Sequence, residues 1–163
     1  MKKIGILSDT HSYWDDRYAS FLDGCDEIWH AGDAGSVEIL DRLSRIATLR
    51  AVYGNCDGQD VRRTTTEIYR FMVEKANIMI KHIGGSPDHY DHSVREQLIL
   101  ETPDLFVCGH SHILKVMHDK KLNMLFINPG AAGLQGWQKV RTLVRLDIDG
   151  KNFKNLEVLE INR

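Results

Sequence analysis

The sequence is poor in the features that mark several protein classes. No stretch approaches the ~20 consecutive apolar residues of a membrane-spanning helix, so no membrane partner is expected. Cysteine is scarce, with Cys25, Cys56 and Cys108 the only three in 163 residues. Their number is odd, their spacings are wide, and there is no Cys-x-x-Cys, which argues against a disulfide framework and for a reducing, cytoplasmic setting. The start Met1-Lys2-Lys3 is charged as in a signal peptide, but the apolar run after it, Ile4-Gly5-Ile6-Leu7, is far shorter than the ~7–15 residues of a signal h-region. Basic charge is also lacking. The formal net charge is -2, where a duplex-binding domain is expected to be basic, so no nucleic-acid partner is expected. Repeats, linkers and low-complexity runs are absent too. With 42% hydrophobic and 27% charged residues, disordered and collagen-like classes are excluded, and a length near ~150 residues suggests one domain over 1–163.

Histidine is what the chain has in quantity. There are eight, and His110 and His112 are separated by a single residue. The hydrophobic pattern places them. Residues 3–8 read as a buried strand, 13–23 as a helix, 27–30 as a strand, 37–46 as a helix with apolar residues on one face, and 48–53 as a third strand. The first third is thus βαβαβ. Residues 67–73 and 77–83 read as an antiparallel pair, 93–101 as a short helix, and 105–108 as a buried strand. A hairpin follows over 115–118 and 122–127, ending in the turn Asn128-Pro129-Gly130. A closing hairpin covers 140–148 and 152–161, with Asp149-Gly150 as its two-residue turn. An α/β start followed by a run of strands predicts two mixed sheets packed as a sandwich and flanked by helices.

Polar clusters follow the strands: Asp9-Thr10-His11, Gly32-Asp33, Gly54-Asn55-Cys56-Asp57, Lys81-His82 and Gly109-His110-Ser111-His112. Loops at strand carboxyl ends converge on one crevice in α/β sheets. Carboxylate, amide and imidazole donors gathered there suit Mn, Fe, Co, Ni or Zn rather than Ca or Cu(I). Residues two apart in extended chain point the same way, so Asp9 with His11, and His110 with His112, can reach one metal or two adjacent ones. The glycines at 32, 54 and 109 allow a sharp turn and a close approach to an ion. Each piece alone has an ordinary reading: Gly32-Asp33 as a turn or helix cap, Gly54-Asn55 as a turn, His82 as a satisfied core histidine. The ordered set, each member after a strand, is what points to chemistry.

That set resembles the signature of the calcineurin-like metallophosphoesterases, most closely the small YfcE-like phosphodiesterases, whose Gly-Asn-Cys-Asp block and Asn-Pro-Gly turn are similar to residues 54–57 and 128–130. The resemblance runs from residue 4 to about 130. It implies the metallo-dependent phosphatase fold and a two-metal site. Asp9, His11 and His112 match the ligands of one ion, and Asn55, His82 and His110 those of the other. Asp33 matches the carboxylate that bridges them, and a bridging hydroxide would attack phosphorus. Asp33, Asn55, Cys56 and Asp57 fall in the catalytic machinery, and the cofactor is expected to be two divalent ions, Mn2+ ahead of Ni2+, Fe2+, Co2+ or Zn2+. Cys56 stands where most of the wider family has a histidine. A thiol is a poorer donor of charge-assisted hydrogen bonds than an imidazolium, which implies slower turnover and a bias towards good leaving groups. His82 is followed by Ile83 instead of the family's usual glycine, and Ala131 stands where serine usually follows Asn-Pro-Gly.

The function this implies is hydrolysis of a small phosphodiester. Phosphomonoesterase or nucleotide-phosphatase activity is a sibling reading, and a binding scaffold like the retromer subunit of this fold is the rival from another class. All seven candidate ligands are present, which a scaffold need not retain. The small phosphoester is the expected partner, with a homo-oligomer left open. Of the other histidines, His30 is expected beside the site at a strand end and His118 at the surface. His89 and His92 fall in the polar loop 86–93, which together with Arg62 could meet substrate. Tyr13 and Trp14 read as core packing of the first helix, and Cys108 as inert in a buried strand.

Overall fold

The computed structural model describes residues 1–163. In chain order the elements are β1 (Lys2–Leu7), α1 (Asp16–Leu22), β2 (Glu27–His30), α2 (Val37–Ser44), β3 (Thr48–Ala51), α3 (Gln59–Thr64), β4 (Ile68–Val73), β5 (Ala76–Lys81), β6 (Gly85–Ser86), β7 (His89–Tyr90), α4 (Arg95–Leu100), β8 (Leu105–Val107), β9 (Leu114–Asp119), β10 (Met124–Pro129), β11 (Val140–Asp149) and β12 (Asn152–Asn162). One five-stranded sheet runs β12-β11-β1-β2-β3 and the other β4-β5-β8-β10-β9. Each is mixed. β1, β2 and β3 are parallel in the first, as are β5, β8 and β10 in the second, and antiparallel strands border both sets. The expected helix-flanked pair of mixed sheets is therefore the observed architecture.

Alternation along the strands explains the layers. Ile4 and Ile6 of β1, Ile78 and Ile80 of β5, and Leu105 and Val107 of β8 point between the sheets, where they join Trp29, Ile127, Val144 and Leu146 in one cluster of 15 buried residues. The residues between them face outwards. Met79 and Phe106 meet Leu98 of α4 and Tyr90 of β7 on one outer face. Tyr18 and Leu22 of α1, Leu40 and Leu43 of α2, and Val61 of α3 cover the other. Each large aliphatic side chain so buried contributes roughly 1.5–3 kcal/mol, so the interior can carry several strained loops at about 1–3 kcal/mol each.

Four details differ from the sequence reading. The first helix begins at Asp16, because Asp15 caps it by accepting the Arg17 N–H; this leaves Tyr13 and Trp14 ahead of it, with Trp14 packed on the outer cluster. α3 was not foreseen, since Val61 is its only buried residue and no apolar period marks it. The 86–93 segment contains the small β6–β7 hairpin. Asn128 and Pro129 finish β10, paired with Lys115 and Leu114, instead of leaving it; a strand end tolerates a proline, which has no N–H to give. No helix is long and apolar enough to cross a membrane.

Candidate metal centre

The central parallel strands of both sheets bring their carboxyl ends to one edge of the sandwich. Asp9 follows β1, Asp33 follows β2, Asn55 follows β3, His82 follows β5, and His110 and His112 follow β8. Two groups of donors form there, Asp9–His11–His112 and Asp33–His82–His110. A third, His11–Asp33–Cys56, shares a residue with each; within every group the donor atoms lie inside 4.8 Å of one another. His110 and His112 thus diverge into different groups.

The backbone at these residues is not the extended chain that a two-residue spacing suggests. Asp9 (φ 54°), His11 (43°), Asp33 (55°), His110 (71°) and His112 (66°) are all left-handed. A non-glycine residue held this way costs of order 1 kcal/mol or more and persists where its surroundings fix it. They do so here. The N–H groups of Asp9, His11 and Ser12 donate to the carbonyls of Gly32, Asp33 and Ala34 at 2.9, 3.0 and 2.8 Å, and that of Gly109 donates to His82 O at 2.9 Å. The glycines serve the donors more than an ion. A Cβ at Gly54 would strike Asp33 Oδ1, and one at Gly109 would strike the Ser8 hydroxyl that holds Asp9.

Asp9, Asp33, His82 and His112 each have one side-chain atom anchored and the other turned towards the cluster. Asp9 Oδ2 accepts from the Ser8 hydroxyl at 2.6 Å and the His110 N–H at 3.1 Å, while Asp9 Oδ1 is buried without a partner. Asp33 Oδ1 accepts the Cys56 N–H at 2.8 Å, leaving Oδ2 to face His82 Nε2 at 3.1 Å and His11 Nε2 at 3.8 Å. His82 Nδ1 lies 2.7 Å from Ala31 O. A carbonyl only accepts, so Nδ1 carries a proton, and in the neutral ring it is the Nε2 lone pair that faces the cluster. His112 Nδ1 meets Gln138 Oε1 at 3.3 Å, an amide oriented by its own bond to Gln135 O at 2.7 Å, and its Nε2 stands 3.2 Å from Asp9 Oδ1. His11 Nε2 and His82 Nε2 are buried without hydrogen-bond partners. Unmet buried polar atoms are rare and costly. Three of them converging from different loops, with oxygen and nitrogen donors in borderline proportion, fit divalent metal ions.

Charge supports the fit. Burial alone would raise the Asp9 carboxyl, but the imidazoles of His11, His112 and His82 outweigh it and hold it far below the usual carboxylate range. Asp33 is lowered in the same way, with His82 overcoming burial. Conversely, burial opposes the His82 imidazolium, yet Asp33 and Asp9 raise it, and Asp9 raises His112.

The remaining expected site residues are placed as follows. Asn55 is exposed at the rim, its amide nitrogen 3.5 Å from Cys56 Sγ. Cys56 is exposed and free. Asp57 is buried, but its carboxylate is turned away from the donors and accepts the N–H groups of Asp33, Gly35 and Gly54 at 2.9, 2.9 and 2.8 Å. It is therefore a positioning residue that ties two ligand loops together. Arg62 supports the same turn, donating to Asp57 O at 2.7 Å. His30 is fully buried and neutral, pushed down to about 4 by burial; it links Thr10 to the Gly32 N–H. His89, His92 and His118 are exposed and join none of the donor groups. Reading the sequence alone missed Ser8, Gln138 and the role of Asn128, whose amide holds Gly109 O and Ser111 Oγ at 3.0 Å each. Only Asn128 had a signal, in the Asn-Pro-Gly turn. A cleft of about 380 Å³ opens beside Asn55 and His82, lined also by Tyr53, Arg62, Lys81 and Ile83.

Comparison with known proteins points the same way. Residues 1–151 match the calcineurin-like phosphoesterase superfamily domain. A probable metallophosphoesterase of Methanocaldococcus jannaschii is 29% identical over 159 residues, covering 91% of this chain and 77% of that protein. Vps29 of Chaetomium thermophilum shares the fold with a TM-score of 0.77 at 15% identity, over 99% of this chain and 97% of that one. A structure described as a novel archaeal phosphodiesterase has a TM-score of 0.67 at 24% identity, over 96% and 99% of the two chains.

Proposed function

The chain belongs to the calcineurin-like phosphoesterase superfamily and is a metal-dependent hydrolase of phosphoric esters; from that premise we propose that it cleaves small phosphodiesters with two divalent ions, Mn2+ ahead of Ni2+, Fe2+, Co2+ or Zn2+. In this reading Asp9, His11 and His112 hold one ion, Asn55, His82 and His110 the other, and Asp33 both. The observation that carries it is the Asp33 carboxylate. Its Oδ1 is fixed by the Cys56 N–H, while its Oδ2 faces His11 of one group and His82 of the other. Two like charges a few ångströms apart need such a shared anion between them.

Two divalent ions held by these residues would supply positive charge for the phosphate oxygens and activate a water as nucleophile. The rest falls to the chain. Asp9 and Asp33 arrive ionised, and His82 and His112 present their Nε2 lone pairs because Ala31 O and Gln138 Oε1 hold their Nδ1 protons. Two divalent ions would outweigh these two carboxylates, so the loaded edge would attract anions, and the neighbouring cleft is lined also by Lys81 and Arg62. Its volume suits a small ester. Cys56 stays a neutral thiol, pushed up by burial and by the Asp33 charge. It gives a departing alkoxide little help, which favours esters with good leaving groups. Replacing it with histidine is expected to raise the rate on poor leaving groups, on the order of 10²-fold for a placed general acid; an unchanged rate would remove this role.

Hydrolysis of bis(p-nitrophenyl) phosphate tests the proposal. Activity should require Mn2+ or a similar ion, vanish on chelation, and fall on the order of 10³-fold or more in Asp33→Ala. Undiminished activity in Asp33→Ala would overturn it. A chain that binds no metal and cleaves no ester would favour the scaffold alternative.

A further inference from the structure

We propose that Cys56 is a further metal ligand, a soft donor that raises this site's affinity for thiophilic ions such as Zn2+ above what its oxygen and nitrogen donors alone would give; the inference rests on the metal-centre reading above. Cys56 Sγ lies within 4.8 Å of the donor atoms of both His11 and Asp33, which also lie within 4.8 Å of each other. The turn that carries it is fixed against Asp33, whose Oδ1 accepts the Cys56 N–H at 2.8 Å. Main chain and side chain of Cys56 therefore address the same carboxylate. The His11 side chain is only 10% exposed, and its Nε2 has no partner. That atom calls for a ligand at the place the sulfur reaches.

The packing gives the sulfur nothing else to do. Cys56 is exposed, belongs to none of the apolar clusters, and its side chain makes polar contact only with the Asn55 amide at 3.5 Å and with the Asp33 carboxylate of the donor group itself. Carboxylate, imidazole and thiolate on one ion form a mixed set that Zn2+ favours, whereas Mn2+ keeps to oxygen and nitrogen. On binding a thiophilic ion the S–H bond breaks, the S–metal bond forms, and the proton passes to water, with no change in oxidation state. With Mn2+ the thiol keeps its proton and the position stays open to water or substrate. Cys25 and Cys108 are buried in the two outer apolar layers and cannot supply this ligand.

Cobalt substitution decides the question without an assay of turnover. Wild-type protein loaded with Co2+ should show both the visible d–d bands of bound cobalt and a near-ultraviolet thiolate-to-cobalt charge-transfer band. Cys56→Ser should keep the first and lose the second, and its selectivity for Zn2+ over Mn2+ in competition titrations should drop about tenfold or more. In the unmutated chain, Zn2+ but not Mn2+ should protect Cys56 from a thiol reagent, a readout that needs no variant. Bound cobalt without the charge-transfer band, or a band that persists in Cys56→Ser, overturns the role of Cys56. Failure to bind cobalt at all overturns the metal centre itself.

Discussion

Ile78 and Ile80 lie in the middle of the sandwich and Asp9 and His82 lie at its edge, yet all four are at most 2% exposed. The two regions use burial differently. In the interior every side chain is apolar and alternation along the strands is enough to place it. At the edge, donors come from five separate loops, five of them (Asp9, His11, Asp33, His110 and His112) sit on left-handed backbone, and three buried atoms, Asp9 Oδ1, His11 Nε2 and His82 Nε2, have no partner. Burial alone therefore does not distinguish core from site. Burial with unmet polar atoms and a strained backbone does, because such an arrangement lowers stability unless something binds there.

If the two regions are energetically separate, a defect in one should leave the other intact. Ile78→Ala opens a cavity in the interior and is expected to lower unfolding free energy by about 2–5 kcal/mol in urea titrations. Calorimetry on the folded fraction should find Mn2+ affinity unchanged. A parallel loss of affinity would mean that the sheets set the ligand geometry continuously, not as a rigid support.

Gln138→Leu tests the converse with a smaller effect. Gln138 Oε1 orients His112, and leucine of similar size cannot. Metal affinity should fall about 10–100-fold, while the metal-free protein loses only about 1 kcal/mol for one hydrogen-bond pair. Retained affinity would show that His112 is held by packing alone.

The same contrast explains what the sequence made legible. Ile4 and Ile6, Ile78 and Ile80, Leu105 and Val107 alternate, so the strands could be read, and the polar clusters that end them could be read as one set of ligands. The site's support was hidden because it is not local. Asp9 is held by the His110 N–H, 101 residues away, and His112 by Gln138, 26 away. No spacing encodes either contact. The left-handed turns were missed for a related reason: i and i+2 share a side only in extended chain, and the hydrogen bonds from Asp9, His11 and Ser12 to the 32–34 loop impose another conformation. α3 escaped because one buried valine makes no period, and Asp57 fell in a recognisable block that gave no hint its carboxylate faces backbone.

pH should separate the regions most subtly, since only the edge titrates. In the metal-free protein the imidazolium of His82 is stabilised by Asp33 and Asp9, and that of His112 by Asp9, so both pKa values stand above the ordinary 6.5. Their contribution to stability is complete below 6.5 and is lost as pH rises through the raised values. Asp9 and Asp33 are lowered from 3.8, so their contribution is present above 3.8 and is lost as pH falls. The metal-free edge is thus most stable in mildly acidic solution, where carboxylates and imidazoles pair with each other. A metal ion needs those imidazoles neutral and must displace their protons. The rise in melting temperature on adding saturating Mn2+ should therefore be larger at about pH 8 than at about pH 6, a difference that scanning calorimetry resolves. In Asp33→Ala the pH dependence of that rise should shrink with the rise itself. An equal increment at both pH values in the wild-type chain would mean that the ions do not compete with protons for His82 and His112, and that the unmet Nε2 atoms of the edge serve something other than metal.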